Sequence, residues 1–315
     1  MQGRETFVVV LQWIITATAI VGNGLVIYLI TFRQRLHSKA NWFVLSLAAA
    51  DLFVGASFLP YYRACKAEEF CYQRHIHWLC VDVFLCASVT NLCLLTVDRY
   101  IAIVKPLKYL TTMTQRRVMF GILAAWCFPA ATALLPLSWT YLANSMAQRT
   151  TCWKVFIIGT LFVYGIIPCL LLPLAIVRIL LIARRCRIER CVVIAQLDFN
   201  YSEARGRRQS FPDQDISSTK LIVAIVILFL ICYLFGVCVR IAAVFGEHLP
   251  PESVYVISSI LILTNSAANP VAYGLLKKDF RRELLRTYRL DSSPSDLALS
   301  VRINSDFTGS QGITT

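Results

Sequence analysis

Seven long apolar stretches divide this chain and restrict its fold more than any other feature. They cover residues 7–32, 41–62, 76–104, 118–141, 155–183, 219–245 and 253–276, and each holds few charges. A helix rises about 1.5 Å per residue, so each stretch can cross a hydrocarbon core about 30 Å thick. No water is available there to satisfy a bare backbone, and strand alternation is absent. The expected fold is therefore all-α, a bundle of seven transmembrane helices. The 315 residues are 57% hydrophobic and only 16% charged, too little charge for the surface of a soluble domain. Residues 1–6 are polar, and the apolar run from Phe7 passes Tyr28 without a small-residue cleavage site. The first stretch is thus expected to be a span that acts as its own insertion signal.

Charge sets the orientation. Alternate connecting segments, 33–40, 99–117, 178–220 and 277–315, hold 24 of the 31 Lys and Arg residues. The basic side is cytoplasmic by the positive-inside rule, which places the N-terminus outside and the C-terminus inside. The net charge of +13 follows this topology and is not gathered into a nucleic-acid footprint. Of 12 cysteines, Cys86, Cys93, Cys127, Cys169, Cys232 and Cys238 sit within apolar runs, where they act as small hydrophobes. No CxxC pair or Cys/His cluster points to zinc.

Three units follow: a short outer N-terminus at 1–6, a seven-span domain at 7–288, and a disordered cytoplasmic tail at 289–315. Residues 184–218 are also expected to be loosely ordered. Within 277–288, Phe280, Leu284, Leu285 and Tyr288 recur at helical spacing among basic residues, the pattern of an amphipathic helix on the inner leaflet.

Ionisable residues inside spans are costly and are functional candidates by default. Asp51, Asp82 and the pair Asp98–Arg99 stand out, with Arg240 toward the outer end of the sixth span. Their surroundings carry a family pattern. The first span has Gly22-Asn23-Gly24-Leu25-Val26, and the second has Leu47-Ala48-Ala49-Ala50-Asp51. The third ends in Asp98-Arg99-Tyr100, followed by Ile101-Ala102-Ile103-Val104-Lys105-Pro106-Leu107. Trp126 lies in the fourth and Pro168 in the fifth. The seventh has Asn265-Ser266-Ala267-Ala268-Asn269-Pro270-Val271-Ala272-Tyr273, with Phe280 seven residues on. In this order on these spans, the motifs resemble the rhodopsin-like (class A) G-protein-coupled receptors over about residues 7–288.

The resemblance implies a ligand-activated receptor of the plasma membrane with no chemistry of its own. It also implies a heterotrimeric G protein as cytosolic partner and a small extracellular ligand in the outer cavity. Asp98, Arg99, Tyr100, Asn269, Pro270 and Tyr273 would form the switch. Asp215 would hold Arg99 in the inactive state. Asp51, Ser88, Asn265 and Asn269 match the family's sodium pocket, whose hard oxygen donors suit such an ion as an allosteric ligand; a hydrated hydrogen-bond network is the alternative. Asp82, Leu85, Tyr164 and Tyr233 would contact the ligand. A lysine for a retinal Schiff base is missing from 253–276, which excludes light sensing by that chemistry. Arg207-Arg208-Gln209-Ser210 and the tail serines would serve a kinase and arrestin.

The chain also departs from the family. Tyr233 and Phe235 stand where Trp and Pro are usual, and without that Pro the sixth helix keeps a backbone donor. Ile176 replaces an inner tyrosine. Asp82 lies one residue from the counter-ion position of amine receptors, about 100° around a helix. The family's outer disulfide implies Cys152 with Cys71, with Cys80 or a local Cys65–Cys71 bridge as alternatives. An amine ligand is one expectation. A receptor-shaped protein without signalling is a rival reading, and a small-solute transporter is another, although inverted repeats or paired broken helices are absent from the sequence.

Overall fold

The computed structural model describes residues 2–66, 74–142, 145–200, 214–246 and 250–292. All described elements are helical, with no strand among them. The first three spans are α1 (Gln2–Phe32), α2 (Lys39–Lys66) and α3 (Arg74–Val104). A 3-10 turn, Gln34–Leu36, joins α1 to α2, and a short helix α4 (Pro106–Thr112) follows α3. The fourth span is α5 (Gln115–Leu142). The fifth is composite: α6 (Met146–Thr160), a π-helical stretch Leu161–Ile166, and α7 (Ile167–Asn200). The sixth and seventh spans are α8 (Gln214–Phe245) and α9 (Glu252–Leu276), and α10 (Lys278–Ser292) follows. Seven helical segments are long and apolar enough to cross a membrane.

Which face of each helix is polar explains the packing. Along α1, Gln12, Thr16, Ala19, Asn23, Val26 and Ile30 are buried at intervals of three and four residues. Phe7, Val10, Ile14, Val21 and Phe32 are exposed on the other side. Lipid is as apolar as these side chains, so no hydrophobic drive holds the helices together; small residues and interhelical hydrogen bonds do so instead. Gln12 Nε2 donates to Ser259 Oγ of α9 at 2.8 Å. Trp126 Nε1 of α5 donates to Ser46 Oγ of α2 at 2.9 Å, and Thr90 Oγ1 of α3 donates to the Ala125 carbonyl at 2.9 Å.

Helix ends follow local chemistry. Ser145 caps α6, its side chain accepting from the Gln148 amide at 3.2 Å, and Pro106 opens α4 where its missing N–H costs nothing. Two expectations need correction. Residues 184–200 continue α7 as helix and 214–218 begin α8, so these parts of the expected loose segment 184–218 are ordered helix, while 201–213 lie outside the described residues. The amphipathic helix runs to Ser292 instead of stopping at 288. Residues 293–315, with most of the tail, lie outside the described ones, as does Ser210. Helix α10 is fastened to the bundle by Glu283, which is buried and pairs with Arg286 at 2.8 Å and Arg35 at 3.6 Å.

Candidate functional site: a polar axis through the bundle

The centre of the axis is Asp51 on α2, fully buried. Its carboxylate accepts from Ser88 Oγ of α3 at 2.8 Å and from Ser266 Oγ of α9 at 3.0 Å. Asn269 Nδ2 of α9 donates to it at 2.6 Å. One carboxylate thus ties three helices. Ser88 and Asn269 are brought to Asp51 as expected. Asn265 instead faces a small cavity of about 10 Å³, which it lines with Ser88, Ser266 and Leu85. That is room for about one water. Ser266, which the sequence reading did not assign, occupies the place given to Asn265. It is the next residue in the helix, about 100° further round the axis.

Pro270 shapes the same site. It lacks an N–H, so the Ser266 carbonyl four residues earlier loses its helical donor. Asn23 Nδ2 of α1 supplies one at 3.0 Å. Gly22 makes room: a Cβ there would lie 2.7 Å from Pro270 Cγ. The residues fit a sodium ion. Asp51 supplies the charge, Ser88 and Ser266 supply hydroxyl oxygens, and the buried Asn269 Oδ1 has no hydrogen-bond partner. Among the described residues no group of three His, Cys, Asp or Glu side chains gathers into another metal site.

At the end of the bundle beside the basic connecting segments, Asp98 holds its neighbour. Arg99 Nε and Nη2 donate to Asp98 Oδ2 at 2.9 and 2.5 Å. Tyr109 of α4 donates its hydroxyl to the other oxygen, Oδ1, at 2.8 Å. Burial, then the Asp98 charge, pushes the Tyr109 phenol up to about 12, so it remains a donor at neutral pH. Tyr109 was not found from sequence. The signal was only an aromatic in a short helix eleven residues from Asp98. Asp215 begins α8, but its side chain lies outside the described ones. Tyr100 packs half-buried against the core, and Tyr273 is fully buried with its ring 5.9 Å from Phe280 of α10.

At the opposite end of the bundle, Leu85, Tyr164 and Tyr233 line one cavity of about 30 Å³. The fourth expected contact, Asp82, does not form its wall. Asp82 is buried and pairs with Arg240 of α8 at 3.6 Å, and Arg240 lines the cavity in its place. The one-residue offset of Asp82 turns its carboxylate toward α8. The π-helical stretch carries Tyr164, whose hydroxyl meets Thr132 Oγ1 at 2.9 Å. There α8 comes close, since a Cβ on Gly165 would lie 3.1 Å from Val237 Cγ2. The expected disulfide also needs correction. Cys152 lies within α6, not in an outer loop, and is a free thiol. Cys71 lies outside the described residues.

Comparison with known proteins supplies independent findings. The family model described as 7 transmembrane receptor (rhodopsin family) matches residues 22–273. The human Alpha-1A adrenergic receptor is 25% identical over 306 residues, covering 86% of this chain and 65% of that receptor. The mouse Alpha-1A adrenergic receptor is 26% identical over 310 residues, with the same coverage of 86% and 65%. The Alpha-2B adrenergic receptor of Macroscelides proboscideus is 35% identical over 186 residues, 54% of this chain and 46% of that receptor. The chain therefore spans just under two thirds of the length of the Alpha-1A relatives.

Proposed function

Because the chain belongs to the rhodopsin family of seven-transmembrane receptors, we propose that it binds a small ligand in its outer cavity and activates a heterotrimeric G protein from its inner face. It sits in the plasma membrane with its N-terminus outside, in keeping with the basic inner segments. The observation that carries this reading is the Asp98–Arg99–Tyr109 cluster. Arg99 is held by its own neighbour Asp98, whose other oxygen accepts from Tyr109, so a change that draws off Asp98 frees a guanidinium at the inner end of the bundle. A G-protein segment entering there would meet it.

Ligand action is a population shift between a closed and an open bundle. The outer cavity is about 30 Å³, smaller than a drug-sized ligand needs, which supports reading this bundle as the closed member. Opening must separate α3 from α8 at Asp82–Arg240. Asp51, beneath the cavity, would bind sodium when the bundle is closed, and the ion would add its charge to the three donors already there. Asp215 would restrain Arg99, and kinase and arrestin would act at the tail. The relatives are adrenergic receptors by name, which brings an amine to this cavity as the first candidate. The rival, a bundle that no longer signals, draws on Tyr233, stacked on Phe229 at 4.7 Å, and on Phe235 in place of a helix-bending Pro.

The test is G-protein activation in cells expressing the full chain, basal and across a panel of amines and other small ligands. Activation is expected, with Arg99→Ala reducing it at least ten-fold at equal surface expression. No activation in the wild type under any condition would favour the non-signalling rival.

A further inference from the structure

The ion pair above the outer cavity changes which ligand the cavity can accept. Asp82 is buried on α3 and forms an ion pair with Arg240 at 3.6 Å. Arg240 is about half exposed and lines the cavity. On α8 the cavity wall runs Tyr233, Gly236, Val237, Arg240, which is one helix face at intervals of three, one and three residues. Leu85, Tyr164 and Ile262 close the other sides. The site thus joins a pair of opposite charges at its outer end to an apolar and aromatic floor.

A ligand must part this pair to enter. A simple amine would take Asp82 and leave Arg240 without its counter-charge. A simple carboxylate would take Arg240 and strand Asp82, buried and unpaired, which is the more costly outcome. A molecule bearing both charges replaces one ion pair by two and strands neither. Arg240 presents a planar fork suited to a carboxylate, and Asp82 accepts the donors of an ammonium group.

We propose that the outer cavity takes a zwitterion of the α-amino-acid type with an apolar or aromatic side chain, its carboxylate on Arg240 and its ammonium group on Asp82. Its side chain points between Leu85, Tyr164 and Tyr233. Because the two charges sit on α3 and α8, the head group wedges these helices apart while remaining bonded to both. This rests on the reading of the chain as a receptor and narrows its ligand class; an amine without a carboxylate is then a poor ligand.

The test uses three matched probes: L-phenylalanine, phenethylamine and 3-phenylpropanoate. They share a phenyl side chain and differ in the charges of the head group. Binding to the purified full chain is read by thermal shift and isothermal titration, and G-protein activation is read separately in cells. L-phenylalanine should bind at least ten-fold tighter than either single-charge probe. Arg240→Gln should lose the zwitterion preference and gain relative affinity for phenethylamine. Asp82→Asn should gain relative affinity for 3-phenylpropanoate. If either variant fails to fold, the wild-type ranking alone decides.

Phenethylamine binding as tightly as L-phenylalanine would overturn the proposal. So would the absence of binding by any apolar or aromatic α-amino acid to a wild-type protein that melts cooperatively. The expected ranking without G-protein activation would uphold the zwitterion site and refute the signalling reading. Activation by amines without zwitterion binding would do the reverse.

Discussion

Asp51 and Asp82 are both buried aspartates within membrane spans, yet the molecule satisfies them in opposite ways. Asp51 accepts three hydrogen bonds, from Ser88, Ser266 and Asn269, all neutral donors held on two other helices. Asp82 leans on one half-exposed cation at 3.6 Å. The inner site is over-determined: no single donor is indispensable, and α2, α3 and α9 are locked in register. At the outer site the Asp82–Arg240 ion pair joins α3 to α8. A receptor of the kind proposed would use both kinds of joint, with a rigid centre transmitting what a breakable rim admits. In a membrane, buried polar contacts supply much of the specificity between helices, so this contrast is also a map of where the bundle can open.

The largest effect should come from Asp51→Ala. It leaves three buried donors without an acceptor, and each orphan costs about 1–3 kcal/mol. A total loss on the order of 3 kcal/mol or more is expected, visible as a large drop in the apparent melting temperature of the purified protein. Asp51→Asn is milder in shape but places an amide against the Asn269 amide, which donates at 2.6 Å in the wild type. It should weaken signalling and remove any stabilisation by sodium relative to potassium. An Asp51→Asn protein whose dose–response and melting remained those of wild type at low and high sodium would show that the centre is not the rigid joint described above.

A smaller effect is expected at the rim. Asp82→Asn removes the buried charge and leaves Arg240, which is about half exposed, in place. The neutral amide can still hydrogen-bond Arg240, so the cost should be smaller than that of Asp51→Ala, which orphans three donors. Melting should change slightly while basal G-protein activation rises, because α3 and α8 lose a tie without gaining an orphan. If Asp82→Asn destabilised the protein as strongly as Asp51→Ala, the two aspartates would be equivalent and the contrast would fail.

How much of this was legible in the sequence differs between the same two regions. The seven spans were legible because apolar length alone specifies them. Asp51 with Ser88 and Asn269 was legible because the motifs carry it. The Asp82–Arg240 pair was not: both residues were noticed, but pairing across 158 positions depends on how α3 and α8 rotate, which no local pattern sets. The same rotational uncertainty exchanged Asn265 for Ser266. The π-helical stretch Leu161–Ile166 inserts a residue into the turn and shifts the helical phase, and apolar composition does not report it. Cys152 was misplaced because the outer end of the fifth span is polar enough to read as loop, whereas Ser145 caps a helix that begins there. Tyr109 was missed because its partner is set by where α4 folds back beneath α3.

Lys277 gives a third solution to a charge near the membrane, and the smallest effect. It sits between α9 and α10, donates to Asn41 Oδ1 and lies 5.0 Å over the Phe280 ring. Burial, then the nearby Arg99 charge, lowers its ammonium from 10.5 to about 8. Below about pH 8 the lysine is protonated in both folded and unfolded states, so its contribution does not vary with pH. Between about 8 and 10.5 the unfolded state binds more protons than the folded one, so stability rises as pH rises. Above that range both states are neutral and the gain is constant. Melting temperature measured from pH 7 to pH 10 should therefore contain an upward component that Lys277→Met removes. At neutral pH this titration contributes no slope, so it ranks below both aspartates. A Lys277→Met protein with an unchanged pH profile would mean that its charge is not constrained by Asn41 and Phe280, and that Glu283 with its two arginines is what fastens α10.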